Sequence, residues 1–369
     1  MAQAFRADHL GSFLRPPEVL KLREQPGFDT EQLHKLEDDY IVRVLRKQRE
    51  LGFHIFTDGE VRRATFMSDF NDSVEGVGTE EGAQRQWKAV GDKKGKPMDV
   101  HGLVVDKVRA KRRMTAHEVT FLKKHSPGAI KMTLPTPNQF PAIMFKKGVS
   151  TKAYPTYSEF LWDIVPIFNA EIKALVNDGI PYIQIDAPRY SYYIDPKWRE
   201  FIRLEMGVDP DQALDEAIRV DNATLQGAHK DGVTLAIHLC RGNNRSQWYA
   251  QGGYDAIAEK LFGTLNVDKY LLEYDDERSG NFDPLRFLPR GKKVVLGLVS
   301  SKLARMEDPK DLIKRIEEAS KYVPLEDLSL SPQCGFASTM VGNMLTEEEQ
   351  WAKLKLVADT ARKVWGTTE

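Results

Sequence analysis

Short apolar and β-branched runs recur along the chain, separated by longer segments whose apolar positions return every three to four residues. The runs predict strands at 5–6, 54–57, 130–134, 182–185, 235–239, 270–272, 294–298 and 328–330. The longer segments predict amphipathic helices over 31–51, 158–178, 211–230, 254–265, 309–322 and 347–365. Strands alternating with helices imply a parallel sheet, and eight strands favour a closed (β/α)8 TIM barrel over an open doubly wound sheet. No G-x-G-x-x-G follows the first strand, which weakens a dinucleotide-binding fold further. The rhythm breaks once, over 75–127. Gly82, Gly91, Gly95 and Pro97 precede an alternating run at 100–105 there, and the stretch reads as a hairpin and helix inserted between the second and third barrel strands. With no internal repeat or linker, residues 1–369 are expected to form one catalytic domain.

Composition narrows the function classes. The chain is 41% hydrophobic and 29% charged, ordinary for a packed enzyme-sized protein, and its net charge of −1 argues against a dedicated nucleic-acid or membrane surface. The basic stretch 107–113 reads as a solvated face. No apolar run is long enough for a membrane span or a signal peptide, so a cytoplasmic protein is expected. In that compartment two cysteines are reduced thiols or metal ligands rather than a disulfide.

A barrel places its chemistry at the C-terminal strand ends. These ends carry His9–Ser12, Asp58–Glu60, Asp186, His238 with Cys240, Glu273, Ser300 with Ser301, and Cys334. On a strand, side chains at i and i+2 share a face, so His238 and Cys240 would offer an imidazole nitrogen and a thiolate to one ion. That is a zinc-type half-site, which a distant Cys334 could join in a closed barrel. The bland alternative is a pair of inert core thiols, since free cysteine is among the most buried residues. Asp275, Asp276 and Glu277 rival Glu273, Asp186 could merely cap a turn, and Glu60 could pair with Arg62 or Arg63 on the surface.

The His238-Leu239-Cys240 and Pro332-Gln333-Cys334-Gly335 motifs, with Glu273, Gly11-Ser12-Phe13, Gly59-Glu60 and Asp186-Ala187-Pro188, carry a resemblance over nearly the whole chain. The sequence resembles the C-terminal catalytic barrel of cobalamin-independent methionine synthase, in a single-barrel, short form whose fold is shared with uroporphyrinogen decarboxylase. The resemblance implies Zn2+ held by His238, Cys240, Glu273 and Cys334. It implies a homocysteine site at Gly11, Ser12, Glu60 and Asp186, and methyl transfer to the homocysteine thiol. Glu273, a hard oxygen donor, is the most replaceable of the four ligands.

The departures concern the methyl donor. Ser300 stands where the family has a histidine proposed as a proton donor, Ala187 replaces an acidic residue, and the segment 133–140 lacks the tryptophan used for the folate ring. The donor is therefore expected to be either methylfolate or a methyl-corrinoid protein. Two further readings remain: an epoxyalkane:coenzyme M transferase-like thiol alkylation, with Arg189, Arg241 or Arg245 facing a sulfonate, and a uroporphyrinogen decarboxylase-like enzyme that needs no zinc. A non-enzymatic zinc-binding protein, its site closed to small ligands, is the last competitor.

Overall fold

A computed structural model describes residues 5–67, 69–79 and 102–369. In chain order its strands are β1 (Ile55–Phe56), β2 (Val74–Val77), β3 (Val104–Ala110), β4 (Ala129–Pro135), β5 (Tyr182–Asp186), β6 (Thr234–Leu239), β7 (Lys269–Glu273), β8 (Lys293–Val299) and β9 (Leu328–Pro332). Seven of them pair in parallel in the order β1-β4-β5-β6-β7-β8-β9, and the connections carry helices, which makes a (β/α)8-type barrel. β2 and β3 form a separate antiparallel hairpin, followed by the helix Ala116–His125. Residues 80–101, including Gly82, Gly91, Gly95, Pro97 and His101, lie outside the described residues. Among the described residues no helix is long and apolar enough to cross a membrane.

Two predicted strands differ from the structure for visible reasons. The first, at 5–6, is reduced to a parallel bridge between Ala7 and Leu330, with Asp8 N–H donating to Leu330 O at 2.9 Å. Phe5 has a left-handed φ of 48°, which an extended strand does not tolerate. The expected strand 54–57 shortens to two residues because the buried Gln48 amide takes both backbone groups of Thr57, at 3.1 and 2.9 Å. The N-terminal segment then spans the gap between β9 and β1. His9 Nε2 donates to Ile55 O at 3.2 Å and Thr57 Oγ1 donates to Gly11 O at 2.8 Å.

The helices follow the predicted pattern closely. Thr30–Leu51 begins at Asp29, whose carboxylate accepts from Glu31 and Gln32 N–H, and ends at left-handed Gly52. Glu347–Trp365 opens with a reciprocal Thr346/Glu349 capping box. The helix expected over 211–230 stops earlier, at Leu225, because the Asn169 amide donates to Thr224 O and Gln226 O and satisfies its last carbonyls.

Inside the barrel, period-two alternation sends Lys131, Tyr182 and Lys269 toward the floor, and Thr133, Asp186, His238 and Glu273 toward the mouth. The floor is a buried polar cluster in which Lys131 Nζ bonds Asp8 Oδ1 at 2.8 Å and Tyr182 OH donates to Asp8 Oδ2 at 2.8 Å. Lys269 lies 4.8 Å from the Tyr182 ring. Burial, opposed by the charge of Asp8 and reinforced by that of Lys131, brings it down to about 7. An unfolded lysine titrates at about 10.4, so between these values the unfolded chain binds more protons and stability rises with pH. Urea unfolding from pH 7 to 9 should therefore show a rise that Lys269→Met lacks, by up to about 1.4 kcal/mol per pH unit. Equal slopes in the two proteins would contradict it.

Candidate metal centre and thiol site

His238 and Cys240 leave the end of β6 on one face, and Cys334 follows β9 across the mouth. One nitrogen or sulfur from each lies within 4.8 Å of the others, and all three side chains are buried. His238 Nδ1 lies 3.2 Å from Leu271 O, a carbonyl that can only accept, so Nδ1 carries the proton and Nε2 a lone pair. That Nε2 has no hydrogen-bond partner. Burial disfavours the imidazolium of His238, but the Cys334 sulfur and the Asp186 charge outweigh it and raise its affinity for a proton. The Cys334 thiol is lowered well below its ordinary value by a hydrogen bond from Cys240, against burial and with help from His238. A buried, partnerless imidazole nitrogen beside a thiolate and a second thiol is the donor set that zinc takes, and these residues fit the ion.

Glu273 is the expected ligand that does not join this group. It is fully buried, but Oε1 accepts from Arg278 Nη2 at 2.6 Å and Oε2 from Arg241 N–H at 2.7 Å. A buried carboxylate needs a counter-charge, and here the arginine supplies it. Its rivals Asp275 and Asp276 lie around the same guanidinium, at 3.2 and 3.5 Å from Nη2.

The remaining expected residues divide clearly. A cleft of about 700 Å³ is lined by Ser12, Glu60, Asp186, His238, Cys240 and Cys334, among others. Glu60 adopts a left-handed φ of 54°, a strained setting for a residue with a side chain. Its Oε1 accepts from Thr133 Oγ1 at 2.7 Å, while Oε2 is buried and unpartnered. Burial raises it, against the pull of Arg63. The pairing considered for the surface is thus a buried one, with Arg63 3.6 Å away, while Arg62 turns to Asp38. Asp186 accepts from Gln184 Nε2 at 2.7 Å and burial pushes it up to about 7.

Two glycines are dictated by close approach. At Gly11, φ 113°, a Cβ would lie 2.7 Å from Glu60 Oε1, and at Gly335 a Cβ would lie 2.0 Å from Ser12 Oγ. Ser12 is further tied to the Cys334 loop by Phe336 N–H to its carbonyl at 2.9 Å.

Ser300 is not among the residues lining the cleft. Its N–H donates to Glu307 Oε1 at 2.9 Å, its Oγ accepts from Lys302 N–H at 3.3 Å, and its hydroxyl hydrogen-bonds Asp275 in the turn after β7, so the side chain ties two loops together outside the cleft lining. Residues missed in the sequence hold the site together instead. Lys302 Nζ bonds Gly242 O and Asn243 Oδ1, both at 3.0 Å, and Asn243 Nδ2 reaches Gly335 O at 2.6 Å. They bear no local signal beyond lying just after strand ends.

The family model for the catalytic domain of cobalamin-independent synthase matches residues 7–363. The Bacillus subtilis protein YxjH, of uncharacterised activity, is 40% identical over 98% of this chain and 95% of its own length. Methionine synthase of Pyrococcus horikoshii is 24% identical over 88% of this chain and 84% of its own. A B12-independent methionine synthase from Shewanella sp. W3-18-1, solved with selenomethionine, superposes with a TM-score of 0.76 at 21% identity, covering 98% of both chains. A match over nearly the full length, on a barrel whose strand ends gather an imidazole and two thiols, places the chain in the cobalamin-independent synthase catalytic-domain family.

Proposed function

We propose that this protein is a zinc-dependent thiol methyltransferase that converts homocysteine to methionine. The observation that carries the reading is the meeting, in one cleft, of a metal-type donor set and two buried carboxylates. His238, Cys240 and Cys334 would hold the ion, and Glu273, here on Arg278 and Arg241 N–H, would be the exchangeable fourth ligand. Bound there, zinc supplies stabilisation of a substrate thiolate near neutral pH.

The residues of the chain do the positioning. Glu60 Oε2 and the Asp186 carboxylate present acceptors to an ammonium group, each oriented by a fixed donor, Thr133 or Gln184. Ser12 would offer a hydroxyl to the α-carboxylate, and Gly11 leaves the room that Glu60 and Thr133 occupy. Burial excludes water, which strengthens each of these contacts. In the transfer the sulfur electron pair forms the S–CH3 bond as the bond from methyl to its donor breaks, and the donor leaves with that electron pair. Methylfolate also takes up a proton at the leaving nitrogen, which balances the proton lost by the thiol; a methyl-corrinoid protein takes none, and the thiol proton goes to solvent.

The cleft disfavours a sulfonated thiol such as coenzyme M. Among the described residues, no arginine lines it. Arg241 is held by Gly252 O at 2.6 Å and Tyr254 OH at 3.0 Å, and Arg189 stacks over Tyr192 at 3.9 Å. X-ray absorption at the zinc edge should show one oxygen or nitrogen ligand replaced by sulfur on adding homocysteine. Coenzyme M should leave the shell as it was. A shell unchanged by saturating homocysteine would sink the mechanism.

A further inference from the structure

Glu273 and Arg278 form a contact that the proposed chemistry does not itself require. Arg278 lies in the turn after β7, nearly fully buried, and its Nη2 touches three carboxylates: Glu273 at 2.6 Å, Asp275 at 3.2 Å and Asp276 at 3.5 Å. Its guanidinium also lies 4.7 Å from the Trp248 ring centre, and its backbone N–H is taken by Asp276 at 3.0 Å. The arginine is held through Nη2, its Nε and Nη1 making no hydrogen bond, whereas Glu273 has two groups beside it. One is Arg278 Nη2, with Arg241 N–H on its other oxygen. The other is the neighbouring His238, Cys240 and Cys334 group: Leu239 pairs with Leu272 across β6 and β7, and Glu273 Oε2 already accepts from the N–H of Arg241, the residue after Cys240.

A carboxylate released from a metal inside a protein would ordinarily face a large desolvation penalty. Here the release position supplies a charge-assisted hydrogen bond, so the penalty is removed. In the opposite movement Asp275 and Asp276 stay on Arg278, and the cation is not left bare. We propose that Arg278 is a positioning residue that holds Glu273 in a released state, lowering its competition with the incoming substrate sulfur. The inference rests on the zinc reading given above.

The test is a double-mutant cycle read by zinc affinity and homocysteine affinity. Arg278→Met should tighten zinc binding, measured by competition with a chromophoric chelator, by about tenfold to a hundredfold, the equivalent of one hydrogen bond to a charged group. Homocysteine should bind the zinc-loaded variant correspondingly less tightly, and zinc-edge absorption should retain the oxygen ligand at thiol concentrations that displace it from the wild type. In the Glu273→Gln background the same substitution should change zinc affinity little, because the competition is gone. Arg278→Lys keeps the charge but loses the planar Nη2 contact, and should shift zinc affinity in the same direction by less; it carries the test should the methionine variant fail to fold. Unchanged zinc affinity, or an equal change with and without Glu273, overturns the proposal. Failure of the wild type to bind one zinc through Cys240 and Cys334 is a different result, and it removes the metal reading first.

Discussion

Cys334→Ser is expected to lose stoichiometric zinc and all transfer to homocysteine while the barrel stays folded. Cys334 provides the thiolate that Cys240 and His238 stabilise, and a serine hydroxyl keeps its proton and brings no charge to the ion. Zinc affinity should fall on the order of a thousandfold or more, since a structural-strength site draws most of its free energy from thiolate donors. The side chain itself contributes little to stability. Besides the hydrogen bond from Cys240, its Sγ makes a weak contact at 3.7 Å with Ser338 Oγ, and serine is nearly isosteric. Metal analysis, far-UV circular dichroism and a labelled-homocysteine assay on the same preparation check all three parts. One retained equivalent of zinc would be the decisive contrary result.

Arg63→Met should cost about 3–5 kcal/mol in urea unfolding, the penalty for stripping a cation from buried carboxylates. Arg63 is 1% exposed and grips Glu118 with two bonds of 2.7 Å, Thr133 with bonds of 2.9 and 3.0 Å, and Glu60 at 3.6 Å. Burial already pushes Glu118 up to about 7 despite this partner. Without Arg63, Glu118 is left without its ion-pair partner, and Glu60 loses the charge that favours its ionised form. The variant should therefore also bind homocysteine more weakly, because Glu60 meets the ammonium as a neutral acid. Arg63→Met with Glu118→Met should recover most of the stability, since the uncompensated charge is then removed as well, but not the affinity. A single variant within about 1 kcal/mol of the wild type would show that the buried pair is energetically idle.

The expected fold was carried by periodicity. Six of the eight predicted strands and the long helices appear near their expected bounds, because alternation of apolar positions reports which face is buried. The two exceptions have different causes: the buried Gln48 amide takes the Thr57 hydrogen bonds that a ladder would otherwise make, and the left-handed backbone at Phe5 confines the first strand to the bridge at Ala7. Neither leaves a trace in hydrophobic pattern.

For the site, the amino-acid sequence by itself determined the chemical inventory and its first grouping. His238 and Cys240 share a face through the two-residue period of a strand, and Glu60, Asp186 and Cys334 follow strand ends, which a barrel must bring to one mouth. Only the tertiary structure decided which groups meet and which are engaged elsewhere. It turned Ser300 to Asp275 and its own loop, buried Glu60 against Arg63, and tied Glu273 to Arg278. The reason is electrostatic. A charge buried in a barrel mouth takes whichever opposite charge the packing brings within about 4 Å, and that choice depends on strand order and loop path, which local spacing does not encode.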